Sequence, residues 1–141
     1  MGARRIGRER ALQALYQLEQ DPRLTARAAL DASWAASDEE TSKDPEAHSF
    51  ALTLVEGVQK NLLTIDQTLE AHSHNWRVDR MQRIDRNVLR IGVFELLHLP
   101  DVPRKVTINE AVELGKSFGN EASSAFINGL LDKVAEGLAK P

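Results

Sequence analysis

The segment VLRIGVFELLHL, residues 88–99, is apolar almost all the way around a helix. A helix that is apolar on every face has to be covered by other elements. Residues 80–99 are therefore the predicted central helix, which ends before Pro100 because proline disfavours helical backbone in the residue before it. No segment of useful length alternates apolar and polar residues as a half-buried strand does. We expect an all-α fold of about seven helices.

Capping residues and breakers set the other predicted helices, which cover residues 4–20, 26–36, 45–61, 64–75, 107–118 and 121–138. The predicted caps are Thr25, Asp44 followed by Pro45, Thr64 with Gln67, Thr107 with Glu110, and Asn120. Gly119 is the predicted C-cap of the sixth helix. The predicted core includes Ala47, Phe50, Ala51, Leu54, Val58, Ile127, Leu131, Val134 and Leu138.

The length of 141 residues fits one domain, residues 1–141. No apolar run approaches the roughly 18 residues of a membrane helix, and no apolar signal-peptide core follows the first arginines. The chain has no cysteine. We therefore expect a cytoplasmic protein without disulfides or contact with a membrane.

No motif indicates catalysis. His72 and His74 are two residues apart, so a helix points them in different directions and they do not form a metal site. The GKS sequence at 115–117 lacks the upstream glycine of a phosphate-binding loop. We expect no enzymatic activity, no metal and no cofactor.

The sequence ARRIGRERALQALY, residues 3–16, crowds four arginines into the start of a helix, although the net charge of the chain is −3. The backbone N–H groups there already carry partial positive charge, which favours anions. A bound phosphate would complete such a site. The alternative is a solvated basic end that only aids solubility.

A second basic segment contains Arg77, Arg80, Arg83, Arg86 and Arg90, several of which share one helical face. It is either a surface that closes within the protein through salt bridges or a surface for a partner or RNA. Phe118 and Phe126 flank the polar turn GNEASS and are either core residues or stacking platforms for an unpaired base. Gly129 lies within a helix, which predicts close approach of a neighbouring helix or a ligand.

Three pieces of the chain resemble the NusB family of transcription antitermination factors. They are RRIGRERALQALY at 4–16, DRNVLRIGVFEL within 83–136, and FINGLLDK in the same block. The resemblance implies two small packed helical subdomains and no catalysed reaction. It also implies binding of the single-stranded boxA element of nascent RNA together with the ribosomal protein NusE. With other Nus factors, that complex would load onto RNA polymerase and support antitermination of ribosomal RNA transcription.

The resemblance also implies the functional residues. On the family's RNA-binding stretches fall Arg4, Arg5, Arg8, Gln13, Tyr16, Ser123, Ser124 and Phe126, and Phe118 beside the same turn is a further RNA-binding candidate. Asp85 and Arg86 fall in the region that meets NusE. Ile6, Ala122 and Ala125 stand where basic or polar residues occur in the family, so we expect modest RNA binding that NusE strengthens.

Two alternatives differ in partner. The chain could be a helical adaptor that binds only proteins, which an RNA titration distinguishes. It could also be a stand-alone relative of the RNA-binding domain of RNA cytosine methyltransferases, although a complete methyltransferase is not expected without cysteine. A homodimer that uses the arginine-rich face and competes with RNA is a further possibility.

Overall fold

A computed structural model describes residues 2–35, 44–74 and 76–138. Within these ranges the chain forms seven α-helices, no strand and one 3-10 turn, Val78–Arg80. The helices are α1 Ala3–Gln20, α2 Ala26–Ala35, α3 Pro45–Lys60, α4 Leu62–His72, α5 Arg83–His98, α6 Arg104–Phe118 and α7 Ser123–Glu136. The predicted all-α fold is confirmed. No helix in the described ranges combines the length and the apolar character needed to cross a membrane.

The chain divides into two compact units, Met1–Lys60 and Asn61–Pro141. In the first unit, α1 packs against α2 and α3. The buried side chains of α1 include Ile6, Ala11, Leu12, Ala14, Leu15 and Leu18. Gly7 lets α3 approach closely, because an added Cβ would lie 2.9 Å from Cδ2 of Phe50 and 3.0 Å from the carbonyl oxygen of Ala47.

Two predicted caps in the first unit are confirmed. The N–H of Ala28 donates to Oγ1 of Thr25 across 3.0 Å, and the N–H of Glu46 donates to Oδ1 of Asp44 across 2.9 Å. Pro45 is the first residue of α3, as predicted. The predicted end of the second helix at residue 36 and most of the acidic loop after it lie outside the described residues.

In the second unit, α5 is the central helix, as predicted, and α4, α6 and α7 all pack against it. Two glycines accommodate side chains of α7. An added Cβ on Gly92 would lie 2.8 Å from Cδ1 of Leu131, and one on Gly115 would lie 2.8 Å from Cδ1 of Ile127. The apolar stripe of α7 is therefore held in two notches, one on α5 and one on α6.

Two predicted helix starts in the first half of this unit are wrong. The helix α4 begins at Leu62, so Thr64 is a helical residue rather than a cap, and its carbonyl oxygen accepts a hydrogen bond from Oγ1 of Thr68. The helix α5 begins at Arg83, because Met81 and Gln82 are extended after the 3-10 turn. The helix α4 also ends at His72, three residues earlier than predicted.

The predicted starts of α6 and α7 are also wrong. The helix α6 begins at Arg104, directly after Pro103. Thr107 lies inside it, where its hydroxyl donates to the buried Glu95 rather than capping the helix. The helix α7 begins at Ser123, three residues after the predicted cap Asn120. Leu138 lies beyond the end of α7 and is half-buried.

Candidate nucleic-acid interface

The first unit presents two arginines at the start of α1. Arg4 and Arg5 are exposed, and the first turn contains no acidic residue. The N-cap is Gly2, which has no side chain to bond the first backbone N–H groups of the helix. The helix dipole and two guanidinium groups thus act in the same direction at this end of α1, which makes it attractive to an anion.

Arg8 is in a different environment from Arg4 and Arg5. It is only 3% exposed, and its Cζ lies 5.3 Å from the ring centroid of Phe50 on α3. The Cζ of Arg4 lies 5.2 Å from the same centroid. Both distances are within the range of a cation–π interaction. Its burial and its contact with Phe50 favour a packing role for Arg8, and its RNA contact remains a prediction.

Phe50 was predicted as a core residue, but it is half-buried. Its ring supports the guanidinium groups of two α1 arginines, so it belongs to this surface as well as to the packing of α3. Nothing local in the sequence pairs Phe50 with residues about forty positions earlier.

Gln13 and Tyr16 lie further along α1. Oε1 of Gln13 accepts hydrogen bonds from Oγ of Ser33 and from Nη1 of Arg10, across 2.8 and 3.1 Å. Tyr16 is 44% exposed, so part of its ring is accessible for stacking. Their RNA contacts remain predictions.

In the second unit, Phe126 of α7 is paired with Trp76, which the sequence analysis did not single out. The ring centroids lie 6.1 Å apart with an angle of 59° between the planes, a tilted arrangement typical of aromatic pairs. Trp76 is 53% exposed. It follows α4 in a segment without helical periodicity, so no sequence pattern placed it beside Phe126.

The turn before α7 is held by its own polar groups. Oγ of Ser123 accepts a hydrogen bond from the N–H of Asn120 and donates to Oδ1 of that residue. Ser123 is fully buried, which favours a structural role, and its RNA contact remains a prediction. Phe118 is exposed and Ser124 is half-buried, and their RNA contacts remain predictions.

Two hollows flank the Trp76–Phe126 pair. One, of about 430 Å³, is also lined by Arg80, Asp85 and Asn120. The other, of about 330 Å³, is lined by residues at the end of α4 and on the outer face of α7, among them Gly129. A Cβ on Gly129 would have no atom of the described residues within 4 Å, so the predicted close approach of a neighbouring helix is wrong.

The basic segment around α5 bonds mainly to its own unit. Arg90 forms a two-pronged pair with Asp66, in which both N–O distances are 2.9 Å. Arg77 pairs with Asp79 at 3.3 Å, and Arg86 donates to the carbonyl oxygen of Met81. The interpretation as a surface closed by salt bridges is confirmed for Arg77 and Arg90.

Asp85 of α5 is 7% exposed, and its buried Oδ1 has no hydrogen-bond partner among the described residues. Leaving a buried carboxylate oxygen without a donor is costly. Its position on the larger hollow makes it a candidate acceptor for a donor from another molecule. The described residues contain no group of three histidine, aspartate or glutamate side chains that could hold a metal ion.

The chain resembles known proteins over its full length. Residues 5–136 match the model of the NusB family. The transcription antitermination protein NusB of Myxococcus xanthus strain DK1622 is 67% identical over 141 residues, which cover 100% of both chains. The solved structure of T. maritima NusB is 33% identical, with a TM-score of 0.86 over 100% of this chain and 94% of that chain.

A crystal structure of the antitermination factors NusB and NusE in complex with double-stranded RNA has the same fold. It is 24% identical, with a TM-score of 0.85 over 96% of this chain and 98% of that chain. The chain therefore belongs to the NusB family, whose members are transcription antitermination proteins and not enzymes.

Proposed function

We propose that this protein binds the single-stranded boxA element of nascent RNA jointly with the ribosomal protein NusE. With other Nus factors, the complex then modifies RNA polymerase for ribosomal RNA transcription. The proposal rests on membership of the NusB family and on a basic surface suited to RNA. A NusB structure with the same fold holds NusE and double-stranded RNA together, which supports NusE and RNA as the classes of partner.

The observation that carries the proposal is the exposure of Arg4 and Arg5 at the start of α1, where the first turn has no acidic residue. Arginine donates forked hydrogen bonds that match the geometry of phosphate oxygens. Phosphate contacts fix the position of a strand without reading its sequence. These two side chains therefore supply affinity and salt dependence rather than preference for boxA.

Aromatic residues supply the complementary contact. Phe126 and Phe118 in the second unit and Tyr16 in the first expose ring surface. Unpaired bases stack on such rings, and single strands are read at their base edges. Gln13 and Ser124 are the polar candidates for hydrogen bonds to bases or sugars.

The proposed NusE contact uses the start of α5. Oδ1 of Asp85 lacks a donor among the described residues, and Arg86 follows it on the same helix. A basic side chain of NusE would complete the hydrogen bonding of that carboxylate. The N-terminal arginines and Asp85 then serve different partners, so substitutions at each should affect one binding event directly and the other through coupling.

The test is a titration of boxA RNA and of a scrambled strand at several salt concentrations, with and without NusE. We expect boxA binding that NusE strengthens and that weakens when Arg4 and Arg5 are both changed to alanine. Arg27→Ala, at an exposed arginine of α2, is the matched control. A protein that binds NusE but no RNA at any salt concentration would instead be a protein-only adaptor.

Sizing at several protein concentrations, with and without RNA, tests the homodimer. If the dimer uses the arginine-rich face, RNA should shift the population toward monomer. A dimer that persists in the presence of saturating RNA would exclude that face as its interface.

A further inference from the structure

We infer that the hollow beside Gly129 is a nucleobase site that extends the RNA interface of the second unit to Trp76 and Lys133; this inference rests on the proposed RNA-binding function. The hollow has a volume of about 330 Å³ and lies on the outer face of α7. None of Trp76, Gly129 and Lys133 is among the residues that the family resemblance implied for RNA binding.

Gly129 leaves the hollow open on the side of α7. Gly129 is an exposed residue within α7, where glycine is less favourable for a helix than alanine. A Cβ there would have nothing within 4 Å among the described residues, so packing within the protein does not require a glycine at this position. The space beside Gly129 allows another molecule to approach the backbone of α7 closely.

Trp76 contributes an exposed ring to the same hollow. Its main chain is fixed, because Oγ of Ser73 donates a hydrogen bond to the carbonyl oxygen of Trp76. The N–H of Val78, two residues later, donates to Oε2 of Glu70 across 3.0 Å. Even so, 53% of Trp76 is exposed, and the residue lines the hollow together with Phe126. A fixed backbone with an accessible indole suits stacking, which needs ring surface held in place.

Lys133 contributes a positive charge to the hollow. Lys133 lies four residues after Gly129, on the same face of α7, and it lines the same hollow. Its ammonium group suits the phosphate of a nucleotide whose base stacks on Trp76. Nδ1 of His72 lies 2.8 Å from the carbonyl oxygen of Thr68, which can only accept a hydrogen bond. Nδ1 therefore donates a hydrogen bond to that carbonyl oxygen, which orients the imidazole ring at the end of α4.

Together these features favour a nucleotide over a peptide side chain as the occupant. Within one unit, Trp76 provides ring surface for stacking and Gly129 leaves space for a base. Lys133 provides a cation that can neutralise a phosphate. The occupant is an unpaired nucleotide of the strand that the aromatic residues of this unit bind.

The test compares variants of the hollow with matched controls in boxA titrations. Gly129→Leu fills the hollow with a better helix former, so it should weaken RNA binding several-fold while the denaturation midpoint stays the same or rises. Gly137→Leu, at the end of the same helix, is the control, because a Cβ there meets only the carbonyl oxygen of Val134 at 3.7 Å. Trp76→Ala should weaken binding by about 5- to 150-fold, as expected for a lost stacking platform.

A direct readout uses the fluorescence of Trp76. The chain has two tryptophans, so Trp34→Phe leaves Trp76 as the only reporter. We expect boxA RNA to quench this signal with the same midpoint as RNA binding. Lys133→Ala should lower the slope of log affinity against log salt by about 0.7, the value for one phosphate contact on a single strand.

Unchanged RNA affinity in both Gly129→Leu and Trp76→Ala would overturn the nucleobase site, and so would Trp76 fluorescence that does not respond to RNA. If the Arg4 and Arg5 variant still weakens binding in that case, the proposed RNA function stands without this site. Loss of NusE binding alone in Gly129→Leu would instead assign the hollow to a protein partner. Failure of the unmodified protein to bind boxA under any condition would remove the proposed function itself.

Discussion

Thr107 of α6 donates a hydrogen bond to Oε1 of Glu95 of α5 across 3.0 Å, and each residue is only 1% exposed. The bond joins the central helix of the second unit to its neighbour. Thr107→Val keeps the shape of the side chain but removes the donor, so we expect a loss of about 1–3 kcal/mol in the free energy of unfolding. Chemical denaturation measures it. Thr107→Ser retains the hydroxyl and should lose less, and equal losses in the two variants would contradict the role of the bond.

Leu131→Ala should destabilise the fold by roughly 2–5 kcal/mol, because Leu131 is fully buried and fits against Gly92. The control is Leu63→Ala, since Leu63 is 74% exposed and its replacement should change stability by no more than about 0.5 kcal/mol. Denaturation midpoints of the two variants give the comparison. Similar midpoints would show that the stripe of α7 is not core.

Phe50→Leu should weaken RNA binding by removing the ring that supports the guanidinium groups of Arg4 and Arg8. Cation–π contacts contribute about 0.5–1 kcal/mol at exposed sites and more when buried, so we expect a loss of several-fold in affinity. Phe50→Tyr keeps an aromatic face and should retain most of the affinity. If both variants bind RNA alike after correction for folded fraction, the ring does not orient the arginines.

Replacement of the different α1 arginines should have different effects on the salt dependence of RNA binding. Arg4→Ala and Arg5→Ala should each lower the slope of log affinity against log salt by about 0.7, with little change in preference for boxA over a scrambled strand. Arg8 is buried, so Arg8→Ala should lower the denaturation midpoint without lowering the slope. The measurement is RNA binding at four or five salt concentrations. A full slope in the Arg4 and Arg5 variants would exclude them as phosphate contacts.

NusE and boxA RNA should strengthen each other's binding by the same factor, because coupling between two binding events is reciprocal. Calorimetry of RNA binding with saturating NusE, and of NusE binding with saturating RNA, measures both sides. Asp85→Asn should reduce NusE affinity more than RNA affinity measured without NusE. Identical RNA affinity with and without NusE would refute the coupling.

The features of the fold that the sequence predicts correctly are set by residues only a few positions apart in the chain. Thr25 and Asp44 act as caps as predicted, because each bonds a backbone N–H two or three residues ahead. Thr107 has an equally good capping pattern, but its partner Glu95 is twelve residues earlier and is set by tertiary packing. Local patterns therefore located the helices, while the tertiary hydrogen bond between Thr107 and Glu95 left no local signal that sets Thr107 apart from a cap.

In the candidate site, too, some features are visible in the sequence and others depend on tertiary packing. The excess of arginine at the start of α1 was visible in the sequence, but the difference between exposed Arg5 and buried Arg8 depends on packing against α3. Trp76 lies outside any helix, so periodicity gave no reason to pair it with Phe126 fifty residues later. Packing decides which residues of a recognised motif are accessible and which other residues join them.

The two glycine notches that receive Leu131 and Ile127 also fix the axial position of α7. Sliding a helix by one residue shifts it 1.5 Å along its axis and, to keep its neighbours, requires a rotation of about 100°. Neither step is possible while two branched side chains occupy separate notches on α5 and α6. The residues on the outer face of α7 therefore have fixed positions along the helix axis. A strand bound along this helix would therefore meet these residues in one register only.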